Sequence, residues 1–457
     1  MLLSPCPKLS QAVYRPRRPE KTILFDIIKK NYKTWRKNTH NPISRHIERT
    51  FEKYLECGNP AKGFACAHCN CCNTDFFISF SCKKRGLCPS CNTRTMVATA
   101  AHLIENVIPL VPIRQRVISF PLRIRHYLLE GNLQDVLEIV VDEIRKKVIA
   151  CGPDIPGAQI GAVSFIQNFR STLNVHPHFH LLVADGIFCV EGEELRFRET
   201  IFTQNDVQMT QECIQERVLR HFGKRGWFSD EEIEKMLTYE NSGFSLDASV
   251  RIHSWDRDGL ERLIRYCARP CFASENLRWN GSQLIYRLSK PTHKGQTFIK
   301  LDPIELLDKI AALIPIPHRH RRHYHGVFAP NAPLRKKVVA YAKRRLDGTI
   351  SSSIKIIVEK AKRASLDWAQ LIARIYEADP LICSKCGGRV KIVGFVTHAA
   401  EIYRILRGAG WPIQLHEFDP PHDLSNRDVC QLIPDTEDGF PVMEVEVHCD
   451  NGPDPPS

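Results

Sequence analysis

The sequence predicts an α+β protein laid out in three zones with an acidic tail. Three observations carry that reading. A cysteine-dense stretch lies near the start, strand and helix periodicities alternate from about 110 to 290, and a basic, broken zone runs on to Arg427. The expected divisions are 1–105, 106–290, 291–427 and 428–457. A chain of 457 residues is long enough for two or three domains of roughly 100–200 residues each. Its 64 Lys and Arg against 51 Asp and Glu give a net charge of +13. That balance favours a polyanionic partner, most commonly nucleic acid, although a basic soluble enzyme can share it. The N-terminal "MLLSPCPKLSQAVYRPRRPEK" has no long apolar core, and no run approaches the ~18 residues of a membrane span. The expected compartment is the cytosol. Eighteen cysteines there read as metal ligands, not as a disulfide framework.

In the first zone, "CAHCNCCNTDFFISFSCKKRGLCPSC" holds two C-x-x-C pairs, Cys69/Cys72 and Cys88/Cys91, with fifteen residues between them. Zinc takes four soft ligands in a tetrahedron, and two turn-borne pairs supply them. "DFFISFSC" between the pairs reads as a strand, so a structural zinc ribbon is expected. Cys57, Cys66, His68, Cys71 and Cys82 lie close by, with Cys57 and Cys82 the best reserve ligands. Lys83, Lys84 and Arg85 sit on the same loop, where they suit phosphate contact or simply face water. "RTMVATAAHLIENVI" then shows helical spacing at Met96, Ala100, Leu103 and Val107.

In the second zone, "IRQRVISFP", "AQIGAVSFIQNF" and "HFHLLVADGIFCV" read as strands. "YLLEGNLQDVLEIVVDEIRKKVIACG", 206–222 and 256–268 read as helices. Residues two apart on a strand face one side, so His178 and His180 project together and Phe179, Leu181 and Val183 oppose them. Pro177 lacks a ladder N–H, so regular pairing is expected after it and His176 ranks below the other two. Two imidazoles held by a sheet make a metal platform, though ordinary core or surface histidines share the pattern. On "SWDRDGLERLIRYCARPCF", Leu260, Leu263, Ile264 and Cys267 form the apolar stripe. Tyr266 lies roughly 110° from its centre, among Arg262, Arg265 and Arg269. A tyrosine there suits either surface packing or nucleophilic attack, with arginines to bind phosphate.

The third zone holds "PHRHRRHYHGVFAPN", a basic helix over 334–345 and the knuckle Cys383/Cys386, which gives two metal ligands or a Gly-rich turn into "RVKIVGFV". The tail after Arg427 has no Lys or Arg and is expected to be disordered. "CPSC" lacks the H-x-E partner of a zinc deaminase.

Taken together and in this order, "GFACAHCNCCNTDFFISFSCKKRGLCPSC", "SFIQNFRSTLNVHPHFHLLVADGIF", "LIRYCARPCFA", "YHGVFAPN" and "ADPLICSKCGG" resemble the HUH endonucleases. They are most similar to the rolling-circle transposases whose prototype is insertion sequence 91, over about residues 40–415. The resemblance implies a ferredoxin-like or palm-like nuclease domain with an antiparallel sheet, working on single-stranded DNA at element ends and target in a bacterial cytoplasm, at the nucleoid. It implies that His178 and His180 bind Mg²⁺ or Mn²⁺ and that Tyr266 attacks phosphorus to leave a 5′-phosphotyrosine and a 3′-OH. Such an ion needs an oxygen ligand beside the imidazoles, from Gln167 or Asp185. DNA contacts are expected from Lys83, Lys84, Arg85, Arg262, Arg265, Arg269, Arg321, Arg322 and His325. Many relatives carry two tyrosines four residues apart, whereas here the flanking positions are Arg262 and Pro270. Two other readings fit the same residues: a non-catalytic zinc-ribbon nucleic-acid binder, and a metal-dependent phosphodiesterase with no covalent step.

Overall fold

A computed structural model describes residues 19–38, 42–84, 86–238, 243–281, 283–292, 294–341, 383 and 385–410. Arg85, the part of the expected basic helix beyond 341 and the acidic tail lie outside the described residues. The helices are α1 Ile23–Asn38, α2 Arg45–Leu55, α3 Pro89–Asn106, α4 Arg125–Tyr127, α5 Leu133–Ala150, α6 Gln204–Lys224, α7 Asp230–Thr238, α8 Arg257–Cys267, α9 Pro303–Leu313 and α10 Ala399–Gly408. The strands are β1 Phe64–Cys69, β2 Thr74–Ser79, β3 Ile113–Ser119, β4 Gly161–Phe169, β5 Val175–Ala184, β6 Gly186–Glu191, β7 Glu194–Glu199, β8 Ser245–Asp247, β9 Arg251–Ile252, β10 Leu277–Trp279, β11 Leu284–Arg287, β12 Phe298–Leu301, β13 Arg322–Gly326 and β14 Val390–Val396. Among the described residues no helix is long and apolar enough to cross a membrane.

The central sheet runs β13-β4-β5-β3-β8, with β9 also on β3, and every pair in it is antiparallel. Within it the chain order β3-α5-β4-β5-α6-β8 gives strand order 4-1-3-2, the split βαβ or ferredoxin-like arrangement. Alternation sorts each strand's residues to two faces. One face, with Ile118, Phe179, Leu181 and Val183, buries against Val140 and Ile144 of α5 and Val218 and Phe222 of α6. The other, with Ile113, Val163, Phe165 and Leu182, packs on Ala100 and Leu103 of α3 and on Leu260, Ile264 and Cys267 of α8. The split βαβ unit's own helices cover only the first face. Helices from the cysteine-rich and tyrosine segments cover the second, and this brings those segments to the histidines.

Two breaks differ from the sequence pattern. The long helix expected from Tyr127 is interrupted at Leu128–Asn132, where Gly131 adopts φ 124°. "HFHLLVADGIFCV" is two strands: at Gly186 a Cβ would meet the Arg198 carbonyl oxygen at 2.2 Å, so only glycine lets the β6–β7 hairpin fold back there. The zinc ribbon is a three-stranded sheet, order β14-β1-β2. The third core joins α1, α2, α9 and β10–β12 around Phe51, Trp35 and Leu307.

Candidate functional site

The histidines lie on the sheet's central strand. His178 stands opposite Gln167 of β4 and Ser119 of β3, and His180 opposite Phe165 and Val117. The β4–β5 register shifts between Gln167 and Phe169, which pairs with Val175, so Pro177 falls in a bulge and regular pairing starts at His178. Phe179, Leu181 and Val183 are buried on the far face.

The hydrogen bonds set which ring nitrogens are free. His178 Nδ1 lies 2.8 Å from the His176 carbonyl oxygen, which can only accept. The proton is therefore on Nδ1, and Nε2 keeps its lone pair, the usual arrangement of a ligating histidine. His180 Nδ1 lies 2.9 Å from the Gln115 amide, which also reaches Cys267 Sγ at 3.5 Å. His180 Nε2 is buried with no partner. Metal binding at that nitrogen requires Gln115 to present its oxygen to Nδ1, the same amide turned by 180°. Burial depresses the pKa of both rings, and of His180 to about 3, aided by His178 and Arg269. Both are thus neutral, the form that binds a cation.

Gln167 of β4 stands opposite His178 in the register. Its Nε2 donates to the carbonyl oxygens of Cys267 at 2.7 Å and Tyr266 at 3.3 Å, capping the end of α8. Its Oε1 is buried without a partner. Gln167 Oε1 of β4 and His180 Nε2 of β5 are thus both buried polar atoms that lack a hydrogen bond, with His178 across the register from Gln167. That donor set fits a divalent ion that needs oxygen as well as nitrogen. Asp185 does not belong to it. It lies five residues beyond His180, about 16 Å along the strand. Its carboxylate is held by Arg114 at 2.8 and 2.9 Å and by Arg251 at 2.6 Å. Burial would raise its pKa, but those hydrogen bonds outweigh it and hold the carboxyl low.

Tyr266 stands edge-on to His180, ring centroids 5.7 Å apart and planes at 87°. It is 41% exposed, so a DNA strand can reach it. The Arg269 guanidinium lies 4.5 Å from the centre of its ring. Asp256 caps the start of α8 through the Gly259 N–H at 2.7 Å, and the helix ends before Pro270. Arg262 is exposed, whereas Arg265 is engaged by Glu261 at 2.5 Å. Where α8 ends, a small cleft of about 90 Å³ is lined by Thr95 and Thr99 of α3 and by Cys267, Arg269, Arg321 and Arg322. Arg322 Nη1 donates to Thr99 Oγ1 at 2.7 Å. His325, expected as a DNA contact, sits at the sheet edge on β13. Its Nε2 lies 2.9 Å from Ser164 Oγ, and burial lowers its pKa to about 4, so it offers no cation at neutral pH. Lys83 is exposed on the loop after β2, at φ 50°, with Lys84 half-buried beside it.

The cysteines group differently from their spacing. Cys88 and Cys91 meet Cys57 and Cys82, while Cys69 and Cys72 meet Cys383 and Cys386; within each quartet all sulfurs lie within 4.8 Å. The expectation of one site from Cys69, Cys72, Cys88 and Cys91 is thus corrected. The two pairs are drawn apart because Cys69 ends β1 in the ribbon whereas Cys88 caps α3 in the third core. In the first quartet Cys57 and Cys88 are 3.7 Å apart and Cys82 and Cys91 3.6 Å. A zinc–sulfur bond of ~2.3 Å implies tetrahedral edges of about 3.8 Å, and a disulfide ~2.05 Å, so these distances suit zinc. The Cys82 N–H donates to Cys57 Sγ at 3.3 Å. His68 pairs with Asp75 at 2.8 Å, and it, Cys66 and Cys71 join neither quartet. Among the described residues these quartets are the only groups of three or more His, Cys, Asp or Glu side chains within reach of one ion.

The sequence pattern missed Gln115, which orients His180, and Gln167's link to α8; neither position carries a motif signal beyond facing the histidine side of its strand. A family described as transposase zinc-binding domain matches residues 27–120, and one described as putative transposase matches residues 161–336. Comparison with curated proteins and with solved structures finds no match. Fold, cysteine quartet and matched domains together define a transposase with an N-terminal zinc-binding domain. The chain belongs to the transposase family whose prototype is insertion sequence 91.

Proposed function

We propose that the protein nicks single-stranded DNA and transfers strands through a tyrosine-linked intermediate, as the rolling-circle transposases it resembles do. The observation that carries this is the edge contact between the exposed Tyr266 ring and His180, on a face where Gln167 Oε1 and His180 Nε2 lack partners. His178, His180 and Gln167 would hold Mg²⁺ or Mn²⁺, which when bound supplies Lewis-acid polarisation of the scissile phosphate.

The chain's own groups do the rest. Arg269, against the Tyr266 ring, and Arg321, across the cleft where α8 ends, neutralise phosphate charge. Tyr266 Oη attacks phosphorus in line with the 3′-oxygen. The phosphorus–3′-oxygen bond breaks as the tyrosyl ester forms, and the tyrosyl proton passes in balance to the departing 3′-oxygen. The products are a 5′-phosphotyrosine and a free 3′-OH. A second 3′-OH reverses the exchange, one phosphodiester replacing another, so no external energy is needed. Gln167, by capping α8 and facing His178, ties the nucleophile's helix to the donor set. The first cysteine quartet carries structural zinc at the start of α3, which lines the same cleft.

The test is incubation of the protein with end-labelled single-stranded DNA of the element's ends and Mn²⁺, followed by a denaturing protein gel. The expected result is a labelled adduct that disappears in Tyr266→Phe. Cleavage without an adduct would identify a phosphodiesterase, and binding without cleavage a zinc-ribbon binder.

A further inference from the structure

The second cysteine quartet lies outside both matched segments as a unit, since neither 27–120 nor 161–336 reaches Cys383 or Cys386. Cys69 Sγ lies 3.6 Å from Cys386 Sγ, and Cys72 Sγ 3.5 Å from Cys383 Sγ. These are again near the edges of a zinc tetrahedron and far from disulfide length. The 383–388 turn is shaped around its sulfurs. The Lys385 N–H points to Cys383 Sγ and the Gly388 N–H to Cys386 Sγ, each at 3.4 Å. Donors aimed at sulfur stabilise thiolate, the form that binds metal. The turn is closed by Cys383 N–H to the Gly388 carbonyl at 2.8 Å.

Register puts both knuckles at one end of the sheet. β1 pairs with β14 from Phe64–Val396 to Cys69–Val390, so Cys69 leaves the sheet where the Cys383/Cys386 knuckle enters it. Apolar burial around this junction is slight. Among the described residues one cluster buries Ala67, Cys69, Cys383 and Val390, with Cys72, Phe76 and Ile78 packed on it, and the other buries Phe64, Val396, Ile402 and Leu406, with Cys66, Phe77 and Ile405. So little burial is a weak hold on a strand joined from more than 300 residues away, and small scaffolds of this kind commonly take a structural metal.

We infer that Cys69, Cys72, Cys383 and Cys386 form a second zinc site, distinct from the Cys57/Cys82/Cys88/Cys91 site, that clamps the β14–α10 segment onto the N-terminal hairpin. The site makes the ribbon a joint between the two ends of the described chain, with the catalytic sheet enclosed in the loop between Cys72 and Cys383. It stands apart from the nicking chemistry proposed above and needs none of it.

Metal analysis of the purified full chain tests this. The expected content is about two zinc ions per chain, falling to about one in Cys383→Ser/Cys386→Ser. In that variant hydrogen exchange should accelerate in 64–69 and 390–396 while 89–106 and 175–184 keep their protection. Cys386→His, which retains a ligand, should keep the second ion where Cys386→Ser loses it. One zinc per chain in the unaltered protein overturns the inference. So does an unchanged metal content in the double variant, or a pair of disulfides in place of metal. If the double variant fails to fold, the count in the unaltered chain and the Cys386→His against Cys386→Ser contrast still decide it.

Discussion

The cysteine quartets and the histidine face differ in how completely the protein furnishes its donors. Each quartet supplies four thiols within 4.8 Å, partly sealed in apolar surroundings, with backbone N–H groups turned to the sulfurs. The histidine face supplies two imidazoles and one amide oxygen, and an exposed tyrosine stands where further ligands would approach. Closed sets hold structural metal, whereas open sets leave room for substrate. The first quartet reaches toward the end of α8 through α3: Cys88 is its N-cap, Cys91 lies in its first turn, and Thr95 and Thr99 line the cleft where α8 ends. α3 thus links the first quartet to the cleft that Arg269 and Arg321 line.

The contrast breaks most visibly at the quartet. Structural zinc contributes apparent energies of ~10–16 kcal/mol in zinc-finger peptides, comparable to a whole domain's ~5–15 kcal/mol. Cys91→Ser should therefore cost the first-site zinc and most of the thermal unfolding transition of the 19–106 region, read by metal content and circular dichroism. A variant that loses that ion yet melts as before would show the quartet to be dispensable.

The second prediction goes to the open site. His180→Ala should reduce nicking by more than the ~10–100-fold that an outer-shell partner is worth, with zinc content unchanged. Gln115→Leu removes only the group that orients His180, so its effect should be smaller, ~10–100-fold in Mn²⁺ affinity measured by titration. If Gln115→Leu matched His180→Ala, the ring would be held by Gln115 alone rather than by the sheet.

Much of this contrast was legible in the sequence. The alternation of "HFHLLV" fixed which histidines share a face, and the helical angle of Tyr266 set it off the apolar stripe that packs on the sheet. Periodicity showed only a mixture of strands and helices, and the ferredoxin-like topology was implied by the family resemblance. The cysteine grouping was not legible, because spacing along the chain does not say which knuckle a distant strand will bring near. β14 inserts beside β1 and takes Cys69 and Cys72 with it. Gln167 and Asp185 looked equivalent as oxygen donors, and only the arginines around Asp185 and the α8 carbonyls above Gln167 separate them. His325 read as part of a basic run because nothing local signals that Ser164, from a strand 161 residues earlier, lies opposite the ring.

That last residue gives the smallest effect and a clean sign. The ordinary imidazole pKa is ~6.5, and burial lowers that of His325 to about 4. Between those values the unfolded chain binds a proton that the folded chain does not, so folding stability falls as pH drops through 6.5 and levels off below about 4. Above pH 7 the group contributes no slope. The ring is half-buried, so the share lost between pH 7.5 and 5 should be about 1–2 kcal/mol. His325→Gln keeps a hydrogen-bonding group for Ser164 but does not titrate. Urea midpoints at the two pH values should therefore differ less in His325→Gln than in the unaltered chain, the buried His176 and His180 contributing equally to both. An equal pH dependence in the two proteins would mean that β13 lets the ring protonate in place, and would restore His325 as a cation at the edge of the catalytic sheet.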